Sequence, residues 1–153
     1  MMMQDLAEWG ISMTSEFAVA VHGLVYLDQR KITTSSEELA SNVCTNPARV
    51  RKVMAKLKKA GIIATKEGLE GGYHLIGDPD TISLKQISDA LDVAFVSSSW
   101  KSGDENNPCM VASGMAGVMD EIYGELNELC RERMEQITIK DIREKLILSR
   151  LII

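Results

Sequence analysis

Between Ser35 and Tyr73 the chain is punctuated so densely that few folds accommodate it. Ser35-x-x-Glu38 has the form of a capping box, in which each side chain satisfies the other residue's free backbone N–H, and it opens a short helix to about Val43. Asn46-Pro47 starts the next helix. Asn caps it, and Pro loses nothing at the first helical position because its N–H would be unpaired anyway. That helix runs to Ala60, and Gly61 ends it. Two short strands follow, Ile62 to Lys66 and Tyr73 to Ile76, with Gly68, Gly71 and Gly72 between them to supply the positive φ of a hairpin loop. Upstream, Thr14 or Ser15 is placed to cap a helix to about Gln29, with Phe17, Val21, Leu24, Val25 and Leu27 mostly on one face. Three helices and then a Gly-tipped hairpin is the order of a winged helix-turn-helix, with 35–43 and 47–60 as the helix-turn-helix proper.

The remainder reads as helical. Ser83-x-x-Gln86 is a second capping box, opening a helix to about Leu91. Ala94 to Pro108 has no periodicity and reads as a loop. A long helix runs from Val111 to about Gln136, and a last one from Ile139 to about Leu148. Nine methionines against seven aromatics suit a helical, adaptable core. The expected fold class is mainly α with a small β hairpin: a winged helix-turn-helix plus a long dimerisation helix. At 153 residues the chain is long enough for one domain with an extension. The expected division is an N-terminal extension over 1–12, the winged domain over 13–80, and over 81–153 a helical linker, an effector loop (93–110) and dimerisation helices.

Charge is distributed unevenly. The net charge is −5, yet residues 44–66 carry seven basic and no acidic side chains. A compact basic island on an acidic protein argues for one local anionic partner. With Val50 set at zero and roughly 100° per residue, Val53, Met54 and Leu57 form the inner face. Arg49, Lys52, Lys56 and Lys59 fall opposite, Arg51 and Lys58 flank them, and Ala48 and Ala55 point outward, small enough to let the backbone come close to a partner. Such a helix suits a DNA major groove: phosphates attract its cations, and Arg reads guanine bidentately. A merely solvated charged face is the commoner fate of such residues. The single sign of charge and the hairpin directly after it favour DNA. In the wing itself, Lys66 is placed to meet a minor-groove phosphate, whereas Glu67 and Glu70 resist close approach.

These residues resemble a known family. Ser15-Glu16-Phe17-Ala18-Val19, Thr45-Asn46-Pro47-x-x-Val50-Arg51-Lys52-x-Met54, Leu57-Lys58-Lys59-Ala60-Gly61, Gly71-Gly72-Tyr73-x-Leu75 and Ile82-Ser83-Leu84-x-x-Ile87 are similar to the Rrf-two (Rrf2) family of bacterial winged-helix transcription regulators, over about residues 13–135. The resemblance implies a homodimeric DNA-binding repressor with a long dimerisation helix. The candidate DNA-binding residues are Ser35, Ser36, Asn46, Pro47, Arg49, Arg51, Lys52, Lys56 and Lys59 from the helix pair, and Lys66, Gly71, Gly72 and Tyr73 from the wing. The expected partners are a double-stranded DNA operator and a second copy of the chain. Independently of the resemblance, Met115, Met119, Ile122, Leu126 and Leu129 step by four and three, a coiled-coil seam with Glu121, Glu125, Glu128 and Glu132 off it.

Several family members hold an iron–sulfur cluster on three cysteines in the loop before the dimer helix. Here only Cys109 lies between Ala90 and Gly124, and one thiolate per subunit is too few, so no cofactor and no metal are expected. Cys109 stands just before a helix, whose positive end favours a thiolate, and is the leading redox-switch candidate. Cys44, in the turn before the basic helix, is the second. Cys130, on the long helix, is the third, as a disulfide partner for Cys109 across two subunits, although packing is the commoner fate of such a cysteine. The rival signal is a small molecule in an apolar pocket lined by methionines and Trp100. The rival function is a winged-helix module docking on an acidic protein. An enzyme is not expected: there is no P-loop, G-x-G-x-x-G, H-E-x-x-H or nucleophile elbow, His22 faces no obvious partner in its helix, and His74 alternates with apolar neighbours in a strand. With no leader-like start and no apolar run of membrane length, a cytoplasmic location is expected.

Overall fold

Helix α1 runs from Met2 to Arg30 without a break in a computed structural model that describes residues 2–151, with side chains from residue 15 onward. The expected start at Thr14 or Ser15 is therefore corrected. Residues 2–13 contain no proline and a single glycine, so nothing stops the helix from propagating upstream. Of the expected extension over 1–12, Met1 and all the side chains lie outside the described residues; the backbone from Met2 is part of α1.

The other elements are α2 (Ser36–Val43), α3 (Pro47–Lys59), β1 (Ile63–Lys66), β2 (Gly72–Leu75), α4 (Leu84–Leu91), α5 (Met110–Glu135) and α6 (Ile139–Leu151). Helix α2 starts as expected, with Ser35 Oγ accepting from the Glu38 N–H at 3.1 Å, but only half of the capping box forms. The Glu38 carboxylate turns instead to the Tyr26 hydroxyl at 2.9 Å and Arg30 at 3.2 Å, because α1 offers it an O–H and a charge. At α4 the box is complete between Ser83 and Gln86.

Strands β1 and β2 pair antiparallel, Ile63 with Leu75 through Lys66 with Gly72. On the far side of β2, Thr34 and Tyr73 exchange two backbone hydrogen bonds of 2.9 and 2.8 Å, so the segment leading into α2 is tied to the wing. Gly72 is obligatory there: a Cβ would stand 2.2 Å from the Thr34 carbonyl oxygen.

Two compact units divide the chain. The first comprises residues 1–93 and 134–153, the second residues 94–133. In the first, Leu24 of α1, Leu39 of α2, Val50, Val53, Met54 and Leu57 of α3, Ile63 of β1, Ile87 of α4 and Ile139 of α6 form one buried core. Helix α6 is joined to α1 by an ion pair between Arg143 and the buried Asp28. Backbone bonds from Leu84 to Ile137 and from Ile139 to Ile82 fix its entry. In the second unit, residues 94–109 lie along one flank of α5, where Asn127 bonds both backbone groups of Val96 and Lys101 pairs with Asp120 at 3.1 Å. No helix among the described residues is long and apolar enough to cross a membrane.

Candidate nucleic-acid interface

Helix α3 is built from its ends inward. Asn46 Oδ1 accepts from the Arg49 N–H at 2.8 Å, Pro47 fills the first turn, and Ala60 closes the C-terminus before Gly61 turns away with a φ of 78°. The three-residue turn from α2 passes through Cys44 in the left-handed region, φ 64°, where its N–H bonds the Ala40 carbonyl. Val50, Val53, Met54 and Leu57 are wholly buried, and Gly23 of α1 lies against the Met54 methyl, letting the two helices approach closely.

That seating decides which cations face outward. Ala48, Arg51, Lys52, Ala55, Lys58 and Lys59 are exposed. Arg49 and Lys56, expected on the side opposite the core, are only half-exposed and are turned toward α1. Arg49 donates to the Ser15 hydroxyl, and Lys56 Nζ lies 3.0 Å from Glu16 Oε2. Lys52 Nζ lies 3.0 Å from the other oxygen of the same carboxylate, and Glu16 is only 7% exposed. The outward surface is centred on Ala48, Lys52, Ala55 and Lys59. What the tertiary structure adds is that α1 takes up the flank of α3 that carries Arg49 and Lys56. Burial alone would push the Glu16 pKa up, but the hydrogen bonds and charges of Lys56 and Lys52 outweigh it and hold the carboxyl below its ordinary value.

On the other flank, Arg51 reaches Ser36 Oγ at 3.3 Å and Glu37 at 3.7 Å, and Lys58 donates to Thr65 Oγ1 at 3.0 Å. Ser35, Ser36, Asn46 and Pro47 thus lie at the N-terminal edges of α2 and α3, with the Ser35 and Asn46 oxygens occupied as caps. In the wing, Lys66 is exposed and Gly71 and Gly72 are half-exposed. Gly68 and Gly72 take positive φ as expected, whereas Gly71 does not; it serves close approach, since a Cβ there would meet the Lys66 carbonyl at 2.5 Å. Tyr73 is half-buried; burial raises its pKa and the nearby Arg51 charge opposes that rise. Leu69 stands fully exposed at the tip between Glu67 and Glu70. Ser15 and Glu16 as partners of this surface escaped sequence reasoning. They lie 34 and 40 residues from Arg49 and Lys56, and no local spacing signals such a pairing.

Among the other candidates, Cys44 and Cys109 are exposed and Cys130 is half-buried, all with free thiols. Cys109 precedes the first residue of α5, and backbone hydrogen bonds from Ala112 and Val111 lower its pKa. On α5, Met115, Ile122, Leu126 and Leu129 are exposed and are joined by Val111 and Val118, while Met119 is half-buried. Trp100 is exposed, so the pocket expected around it is not formed by that ring. A groove of about 800 Å³ opens elsewhere, lined by Leu27, Asp28, Lys31, His74, Asp80 and Arg143 among others, and by no methionine. His22 has a partner after all: its Nε2 is 2.7 Å from Asn42 Oδ1 on α2.

Three comparisons with known proteins agree. Residues 13–145 match the Rrf2 family, described as an iron-dependent transcriptional regulator. YwnA of Bacillus subtilis strain 168, named as an HTH-type transcriptional regulator, is 30% identical over 135 residues, 86% of this chain and 97% of that one. A crystal structure from Lactobacillus plantarum, described as a transcriptional regulator, superposes with a TM-score of 0.75 at 25% identity, covering 86% of this chain and 89% of that one. CymR, the global cysteine regulator of B. subtilis, shares the fold at a TM-score of 0.63 and 17% identity, covering 85% of this chain and 94% of that one. The iron in the family description finds no matching donor set here. Among the described residues no three His, Cys, Asp or Glu side chains converge as metal ligands, and the loop before α5 offers Cys109 alone.

Proposed function

This chain belongs to the Rrf2 family of transcriptional regulators, and from that premise we propose that it is a homodimeric repressor that reads a DNA operator through α3 and the wing. The observation that carries the reading is the outward face of α3. Arg51, Lys52, Lys58 and Lys59 stand exposed around Ala48 and Ala55, over an inner face of four fully buried apolar residues, and the helix itself contains no acid. Two small side chains amid cations let a helix backbone enter a major groove while the cations meet phosphates and base edges. The wing is expected to lie over the adjacent minor groove, with Lys66 at its base.

Dimerisation is supported by the stripe Val111, Met115, Val118, Ile122, Leu126 and Leu129, which the chain leaves exposed along most of α5. A second copy laying the same stripe against it would remove both from water and supply the second half-site reader. The signal is proposed to enter at Cys109. An exposed thiol with a lowered pKa is the form a peroxide oxidises to sulfenic acid. Regulation would then change operator affinity in the compartment that holds the DNA.

The test is fluorescence anisotropy with duplexes selected by the protein from a random-sequence pool. The expected result is tight binding with a steep negative dependence on salt, weakened by Arg51→Ala and Lys59→Ala. Salt-independent binding, or binding only to acidic proteins, sinks the reading. For the signal, Cys109→Ser is expected to bind DNA as the wild type does and to lose its response to peroxide; an unchanged response removes Cys109 from the mechanism.

A further inference from the structure

Among the exposed cations of α3, Lys52 is in an unusual position. Its side chain is 64% exposed, yet its ammonium is bound at 3.0 Å to a carboxylate whose side chain is only 9% exposed. The same carboxylate binds Lys56 at 3.0 Å through its second oxygen. Glu37, the acid beside Arg51, contrasts with it: at 71% exposure and 3.7 Å it is free to swing into water when a phosphate competes. Glu16 has no such freedom. It sits on α1 between the core residue Val19 and the Arg49 partner Ser15, and withdrawal of both lysines would leave a buried charge uncompensated.

We infer that Glu16 is a specificity-determining residue: it holds Lys52 and Lys56 away from generic phosphate contacts, so that the DNA surface carries two fewer mobile cations per subunit than α3 advertises. The inference rests on the DNA-binding reading above and deepens it. Non-specific affinity comes almost wholly from cations that release counterions from phosphates. Cations committed to a buried acid contribute little to that release. Lys52 remains exposed at a fixed position, able to meet an acceptor whose location suits it but not to follow the backbone of an arbitrary sequence.

The experiment measures binding of the full chain to a random-sequence duplex and to a selected operator duplex across a salt series, for wild type, Glu16→Gln, and the triple variant Glu16→Gln with Lys52→Gln and Lys56→Gln. Glu16→Gln keeps the shape and removes the charge. It is expected to tighten random-duplex binding about tenfold at low salt and to steepen the log–log salt slope by about 0.9 for each lysine released. Operator binding should tighten less, so the specificity ratio shrinks. The triple variant, which exchanges a charged cluster for neutral amides and stands in should the single variant fold poorly, is expected to keep the wild-type slope on random DNA. An unchanged slope in Glu16→Gln overturns the inference, because a purely structural role would alter thermal stability alone. A slope in the triple variant shallower than wild type by about two contacts also overturns it, since the lysines would then already serve phosphates. Wild-type protein that binds neither duplex refutes the DNA reading itself, an outcome distinct from both.

Discussion

At Glu16, one buried carboxylate answers two ammonium groups, and its charge is linked to folding. Burial works upward on its pKa, but the Lys56 and Lys52 hydrogen bonds and charges outweigh it and leave the folded value below the ordinary 4.5. A carboxyl with a depressed folded pKa stabilises the protein above its unfolded pKa and loses that contribution as pH falls through the folded value. Urea midpoints of wild type and Glu16→Gln are therefore expected to differ most near neutrality and to converge as pH falls past the ordinary carboxylate range and through the lowered folded value; a gap that widens with acid would contradict this. Gly72 acts through the side chain it lacks. Its missing Cβ is what lets the Thr34 carbonyl approach β2. Gly72→Ala is expected to cost about 1–3 kcal/mol in chemical denaturation, because the backbone bonds between Thr34 and Tyr73 must shift.

At the scale of the element, α3 owes its start to Asn46 and Pro47 and its placement to four buried side chains. Asn46→Ala removes the acceptor for the Arg49 N–H and is expected to cost about 1 kcal/mol. DNA affinity should fall with it, since the first turn, which carries Ala48 and leads directly into Arg51, frays. Differential scanning calorimetry together with anisotropy checks both. The helix-turn-helix and the wing were legible in the sequence because caps, prolines and glycines act within three or four residues of themselves. The long reach of α1 was not. Ser15 has the chemistry of a cap, but inside a helix that nothing upstream interrupts it serves as an acceptor for Arg49 instead.

For the molecule as a whole, the uncovered stripe on α5 is the property that bears on assembly. Each residue from Val111 to Leu129 on that stripe is at least partly in water, while the opposite flank is occupied by residues 94–109. Ile122→Glu with Leu126→Glu places two charges in the middle of the stripe. Sedimentation equilibrium is expected to report a monomer for this variant, and operator affinity should fall by orders of magnitude with the loss of the second half-site reader. A variant that remains a dimer would place the assembly surface elsewhere.

Read alone, the amino-acid order determines where α2, α3 and α4 begin and end, that a Gly-tipped hairpin follows a basic helix, and that a long amphipathic helix comes after a loop. Those properties follow from hydrogen-bond satisfaction and periodicity over a few residues. Only the tertiary structure decided which cations of α3 are free. That depends on Glu16 and Ser15, which arrive from a helix some 34 to 40 residues away. It likewise decided that His22 meets Asn42, that Glu38 abandons its own cap for Tyr26, and that Arg143 closes on Asp28. Each is a pairing of polar groups made neighbours by core packing, and no local pattern carries information about it.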